Sequence, residues 1–242
     1  MPISPDVDRD DAGEHHRRRA APAWAEADVS RDTGRGSPAW PVLLAGLPAL
    51  LFALITWQVT GDGPLLDADR RVSRAVLHPD RLSELLSDLG NVEVAVPVLV
   101  LAAGYAAWRG RRAGVPRWWG PPAAAVVPAA VLPAVVVPLK DWTHRGGTPV
   151  MPPGDGYFPS GHTATAAVAY GAAALVLLLW VRSHRARGAV VTVWGVLVLA
   201  VSYGLVRRGY HWPLDVVAGW CLSAVLLVVL RAVLHALHGR RG

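Results

Sequence analysis

The stretch PSGHTATAAVAYGAAALVLLLW, residues 159–180, decides how this chain is read. Ser160 and Gly161 suit the opening of a helix, with serine at the N-cap. After one histidine the stretch runs to Trp180 without a charged side chain. A helix needs about 20 predominantly apolar residues to cross the hydrocarbon core of a bilayer, and helices are one of the two structures that satisfy their own backbone there. Residues 162–181 are therefore read as a membrane span.

Five further runs of the same kind surround it, at 39–59, 91–108, 119–139, 188–206 and 214–234, which makes six spans and an all-α membrane protein. The run at 91–108 is the shortest and has room to extend in either direction. Trp40, Trp57, Trp108, Trp118, Trp119 and Trp180 sit near span ends, as interfacial anchors do. Pro48, Pro128 and Pro133 lie inside spans, where neighbouring helices tolerate a kink.

Composition agrees. Of the 242 residues 52% are apolar, and mean hydropathy is +0.32. A soluble domain of this length would interleave charges throughout, whereas here they collect in short blocks between apolar runs. The net charge of +6 raises the idea of a nucleic-acid partner. Such a protein gathers its basic residues into one patch; these flank the hydrophobic runs, as residues that orient a chain in a bilayer do. The bilayer is the expected partner and nucleic acid is not. Cys221 is the single cysteine, so no intrachain disulfide can form. Among 24 lysines and arginines only Lys140 is a lysine, which invites a reason specific to its site.

Residues 1–38 are polar, charged and rich in proline and glycine, and are expected to be a disordered cytoplasmic tail. Residues 39–235 form the six-span domain, and 236–242 a basic cytoplasmic C-terminus. Arg17, Arg18 and Arg19 of the tail fall on one side of a six-span bundle. So do Arg109, Arg111, Arg112 and Arg117 after the second span, Arg182, Arg185 and Arg187 after the fourth, and Arg240 and Arg241 at the end. That side is expected to be the cytoplasm. The opposite side receives segments 60–90, 140–161 and 207–213. Within the first, Leu66, Val72, Val76, Leu82, Leu85, Leu86 and Leu89 recur at roughly helical intervals, as in a segment lying along the membrane surface.

Three short stretches on that outer side carry unusual chemistry. They are Lys140-Asp-Trp-Thr-His-Arg145, Pro159-Ser-Gly-His-Thr163, and Arg207-Arg-Gly-Tyr-His-Trp-Pro-Leu-Asp215. Each alone has a plain structural reading: Lys140 snorkels at an interface, Ser160 caps a helix, His211 and Asp215 pair at a helix end, and Arg207 and Arg208 anchor a span. Together they contain what phosphoryl transfer requires. Lys140 and Arg145 can hold phosphate oxygens, and the first N–H groups of a helix opening at Ser160 and Gly161 point at an anion. His162 and His211 supply one imidazole to attack and one to protonate the leaving group. Asp215, four residues after His211, can fix its tautomer if the stretch is helical. No cysteine and histidine cluster or carboxylate-rich set suggests a metal, and no cofactor is expected.

These stretches resemble the type 2 phosphatidic acid phosphatase superfamily, which includes vanadium haloperoxidases and bacterial acid phosphatases. Its pattern is a lysine-led basic motif, then Pro-Ser-Gly-His, then Ser-Arg, five residues, His, three residues and Asp. Pro159–His162 match the middle motif, and His211 and Asp215 the end of the third. The resemblance implies a six-transmembrane-helix bundle with His211 as the nucleophile that becomes phosphohistidine, Asp215 orienting it and His162 as general acid. It places Lys140, Ser160 and Gly161 on the phosphate. It implies metal-independent hydrolysis of a phosphate monoester or diphosphate on a lipid in the cell membrane, with the active site facing outward. Phosphatidate, phosphatidylglycerol phosphate and undecaprenyl diphosphate all remain open as substrates, and nothing in the sequence reads oligomeric state.

Two departures stand out. The arginine of the first motif falls at Gly147, followed by Thr148 rather than proline, and the Ser-Arg pair falls at Gly204 and Leu205. Arg145, Arg207 and Arg208 are the nearby replacements, with Arg208 preferred because three residues make almost one helical turn from position 205. Alternatives of the same fold are a lipid phosphotransferase and a phosphate-lipid binder weakened by the missing arginines. A channel or transporter would favour polar residues at mid-membrane depth, and these spans are nearly uncharged.

Overall fold

In the computed structural model, residues 39–239 are described, with side chains over 43–237; the expected tail at 1–38 and Arg240 and Arg241 lie outside that range. Eight helices follow one another among the described residues: α1 (Ala39–Thr60), α2 (Leu65–Val76), α3 (Arg81–Asp88), α4 (Val92–Arg112), α5 (Gly120–Thr143), α6 (Gly161–Leu178), α7 (His184–Arg208) and α8 (Pro213–Gly239). Six of them, all but α2 and α3, are long and apolar enough to cross a membrane. They lie where the six runs were read. The second extends past Trp108 to Arg112; the Arg112 guanidinium lies over the Trp108 ring and that of Arg109 over Trp180, so the added turn is held by cation–π contacts.

α6 is the central helix. It packs on α4, α5, α7 and α8, and 67% of it is buried against 17% of the α1 span. The reason is in its side chains. Ala164, Ala166, Ala167, Ala169, Gly171, Ala172, Ala173 and Ala174 let four neighbours approach closely, the packing mode expected where lipid removes any hydrophobic drive between helices. A Cβ at Gly171 would lie 2.5 Å from a Leu227 methyl, and Trp194 Nε1 donates to the Ala167 carbonyl at 3.2 Å. The outer rows of the other spans, such as Leu43, Leu47, Leu50, Val100, Leu101 and Leu199, are exposed apolar surface suited to lipid.

The 65–89 segment is two helices rather than one. Asp80 caps α3 by accepting from Ser83 N–H while Ser83 Oγ accepts from the Asp80 N–H, a reciprocal cap that restarts the helix after Pro79. The face turned toward the bundle is largely polar: Asp69, Ser73, Ser83 and Ser87 are buried with Leu66. Leu65, Val72, Leu82 and Leu85 are exposed. Asp69 meets the first turn of α8 and the Arg145 guanidinium, Ser83 closes the α3 cap, and Leu65, Leu82 and Leu85 are left outward. α3 lies hard against α7: a Cβ at Gly204 would come within 2.6 Å of the Ser87 nitrogen and 2.7 Å of the Ser83 oxygen, both backbone.

Candidate active site

With six spans alternating, the α1–α2, α5–α6 and α7–α8 connections share one end of the bundle, and the three sequence stretches meet there. The 144–160 loop is tied to the α7–α8 turn. Trp212 Nε1 donates to the Gly146 carbonyl at 3.0 Å, and the Thr148 hydroxyl donates to the Gly209 carbonyl. The backbone itself joins the two arms, because Ser160 N–H donates to the Asp215 carbonyl at 3.0 Å.

Lys140, Gly161, His162 and His211 line one cavity of about 720 Å³. The His162 and His211 ring centres are 6.5 Å apart. His211 is buried, and its Nδ1 lies 3.4 Å from Asp215 Oδ2, which also accepts from the Trp212 N–H at 3.1 Å. That leaves Nε2 as the ring nitrogen not directed at Asp215. Lys140 Nζ donates to the Gly156 carbonyl at 2.8 Å. The ammonium thus sits where the returning loop crosses the end of α5.

Gly161 and His162 begin α6, and their N–H groups have no acceptor within the helix. A Cβ at Gly161 would meet nothing within 4 Å, so the missing side chain leaves room over the first turn. Ser160 is differently placed. Fully buried, it caps α6 by accepting from Thr163 N–H at 3.3 Å, and its own N–H is taken by Asp215.

The structure does not bring the three candidate arginines to the cavity wall. Arg145, with 9% of its side chain exposed, donates through Nη1 to Asp215 Oδ1 and through Nη2 to Asp69 Oδ2. Arg207 binds Asp80 at 2.9 Å. Arg208 lies 3.7 Å from Glu84 and donates to the Tyr210 hydroxyl at 3.0 Å, with Tyr210 itself on the cavity wall. At the family's two departures, Leu205 is an apolar part of the wall, and Gly147 is crowded, since a Cβ there would come within 2.8 Å of the Tyr157 ring.

Asp69, Tyr157 and Tyr210 were not singled out from sequence. Asp69 shares a helix face with Leu66 and Ser73, three and four residues away, and that spacing was the available signal. Its burial pushes the carboxyl above the usual carboxylate range, while Arg145 and the Leu214 N–H pull the other way. From Lys140 the cavity runs down α5 past Val136, Pro133 and Leu132 to Ala129, about 16 Å along the helix axis at 1.5 Å per residue, with Val92 and Val96 of α4 facing it. Among the described residues no group of three or more His, Cys, Asp or Glu is placed to hold a metal ion.

Comparison with known proteins gives a consistent result. The family described as the PAP2 superfamily matches residues 122–238, which span α5 to α8 and every motif above. A search of curated proteins finds no match. Among solved structures, a transmembrane PAP2-type phosphatidylglycerolphosphate phosphatase from Bacillus subtilis is similar, with a TM-score of 0.65 and 22% identity over 84% of this chain and 98% of that one. At that identity the likeness concerns the fold, and the chain has the fold of a multi-pass membrane protein of the PAP2 kind.

Proposed function

We propose that this chain, PAP2-like over residues 122–238 and in its fold, is an integral-membrane phosphatase. It hydrolyses a phosphate monoester or diphosphate on a lipid at the outer membrane face. The observation that carries the reading is the single cavity that holds one ammonium, one helix N-terminus and two imidazoles at its mouth and is apolar along α5. A lipid tail suits the apolar part, and the phosphate suits the mouth.

In the proposed reaction His211 keeps its Nδ1 proton toward Asp215, and Nε2 attacks phosphorus in line with the ester oxygen. The N–P bond forms as the P–O bond to the lipid breaks, and His162 gives the departing oxygen its proton. Water then attacks the phosphohistidine, His162 takes a proton from it, and the N–P bond breaks to release phosphate. Lys140 and the N–H groups at the start of α6 neutralise the non-bridging oxygens, which carry most of the charge in such a transition state. The arginine bias of the opposite loops supports an outward-facing mouth.

A second reading follows from Leu205 and Gly147. With apolar or small residues at the family's arginine positions, the same cavity would bind phosphate lipids with little turnover. One experiment separates the two. Phosphate release is measured from phosphatidate, phosphatidylglycerol phosphate and undecaprenyl diphosphate in detergent micelles, with native protein, His211→Ala and His162→Ala. Hydrolysis requires release from at least one lipid, loss on His211→Ala, and acid-labile phosphate on the native chain after rapid quenching. Binding of vanadate without release from any lipid would establish the binder instead.

A further inference from the structure

One fully buried carboxylate has no part in that reaction. Asp69 sits on α2, outside the spans and far in sequence from every motif, yet its side chain is completely enclosed at the site. Its Oδ2 accepts from Arg145 Nη2, and its Oδ1 accepts from the Leu214 N–H at 2.8 Å. Leu214 is the residue before Asp215, and the other branch of Arg145 binds Asp215 Oδ1. Asp215 Oδ2 in turn faces His211 Nδ1. His211, Asp215, Arg145 and Asp69 therefore form a continuous chain of charged groups, closed by a backbone bond to the helix that bears Asp215.

We propose that Asp69 is a positioning residue for the reaction: through Arg145 and the N-terminus of α8 it holds Asp215, and through Asp215 the ring of His211. The inference rests on the phosphohistidine reading above. Its physical basis is competition. A guanidinium beside one carboxylate directs its whole charge there and would draw Asp215 away from the imidazole. A second carboxylate on the other branch divides that pull and leaves Asp215 an acceptor for His211. The Leu214 bond fixes the same residue from the backbone side, so both the main chain and the side chain of the orienting acid depend on Asp69.

The test uses the full chain in detergent and whichever of the three lipid phosphates the native protein hydrolyses fastest. Native protein and His211→Ala are measured first: absent release, or release that survives His211→Ala, overturns the phosphohistidine reading rather than this one. Asp69→Asn then removes the charge at constant shape, and Asp69→Ala removes the side chain with both of its bonds. Either folded variant, checked by tryptophan-fluorescence melting, should lose roughly 10- to 100-fold in kcat with KM within about twofold. In an Asp215→Asn background the same change should cost less than about threefold, because the path is already broken. A folded variant with kcat within about threefold of native, or an equal loss in both backgrounds, overturns the proposal; a staple that merely attached α2 to the bundle would give that result.

Discussion

The end of the bundle where the three stretches meet has two faces built from the same kind of residue and used in opposite ways. On the cavity face, Lys140, His162 and His211 border open space. On the far face, Arg145, Arg207 and Arg208 each hold a carboxylate: Asp69 and Asp215, Asp80, and Glu84. A guanidinium is a planar fork that binds two acceptors at once and suits permanent architecture, whereas an ammonium on a flexible stem is a mobile point charge. The contrast teaches that nearness to a motif in sequence sets neither the direction nor the task of a charged side chain.

The sharpest way to break the contrast is to remove one cation from each face. Lys140→Ala should lower kcat/KM by about 10²–10³ with little change in melting temperature. Arg145→Ala should destabilise the fold by about 3–5 kcal/mol, since it leaves two carboxylates buried without a counter-charge. Phosphate release and thermal unfolding on the same preparations read both. Arg145→Ala also breaks the path from Asp69 to Asp215 and should lower kcat. The distinction therefore rests on melting temperature, and a destabilised Lys140→Ala beside an unshifted Arg145→Ala would erase it. Next in size is Gly204→Ser, which restores the serine of the family pattern. It drives an Oγ-bearing side chain into the α3 backbone and should cost about 1–3 kcal/mol by overpacking, read as a lower unfolding midpoint. A neutral result would mean that α3 can stand off from α7.

Arg207→Ala and Arg208→Ala should have smaller effects. Their ion pairs are partly exposed, so each should cost under about 1 kcal/mol and leave kcat within about threefold if the far face is architectural. A larger loss in kcat from either would move that arginine to the cavity face. The smallest effect concerns Asp80. The Ser83 N–H and hydroxyl, and then Arg207, hold its carboxyl down at about 2 from the usual 3.8. A depressed carboxyl stabilises the fold fully above its unfolded value and loses that contribution as pH falls through its folded one. Hydrogen exchange at the start of α3, corrected for intrinsic rate, should stay level down to about pH 4 and rise toward pH 2, and Asp80→Asn should flatten that rise.

Much of the fold was legible because each span is a long apolar run, a signal that needs no knowledge of partners. That the three stretches belong together was legible as well, since each alone has a plain structural reading and only their joint presence at one end of a six-span bundle points to an anion. The arginines were harder. Helical phase placed Arg208 beside position 205, but Glu84 and Tyr210, from separate elements, decide where its guanidinium goes. The 65–89 segment was read through its leucines, yet in a membrane protein apolar residues have lipid as an alternative to a core, so Asp69, Ser73, Ser83 and Ser87 took the inward face. In sequence, Gly204 reads as a missing serine. Only the packing of α3 shows why no larger side chain fits there.

The bond from Ser160 N–H to the Asp215 carbonyl has a mechanical consequence. It joins the α6 arm, which carries His162, to the α8 arm, which carries His211, within four residues of either ring. When bilayer thickness or lateral pressure changes the tilt of these helices, the two arms are constrained to move as one body at this end, and the separation of the imidazoles is the dimension least altered. A change of lipid environment should therefore leave the spacing of His162 and His211 nearly unaltered.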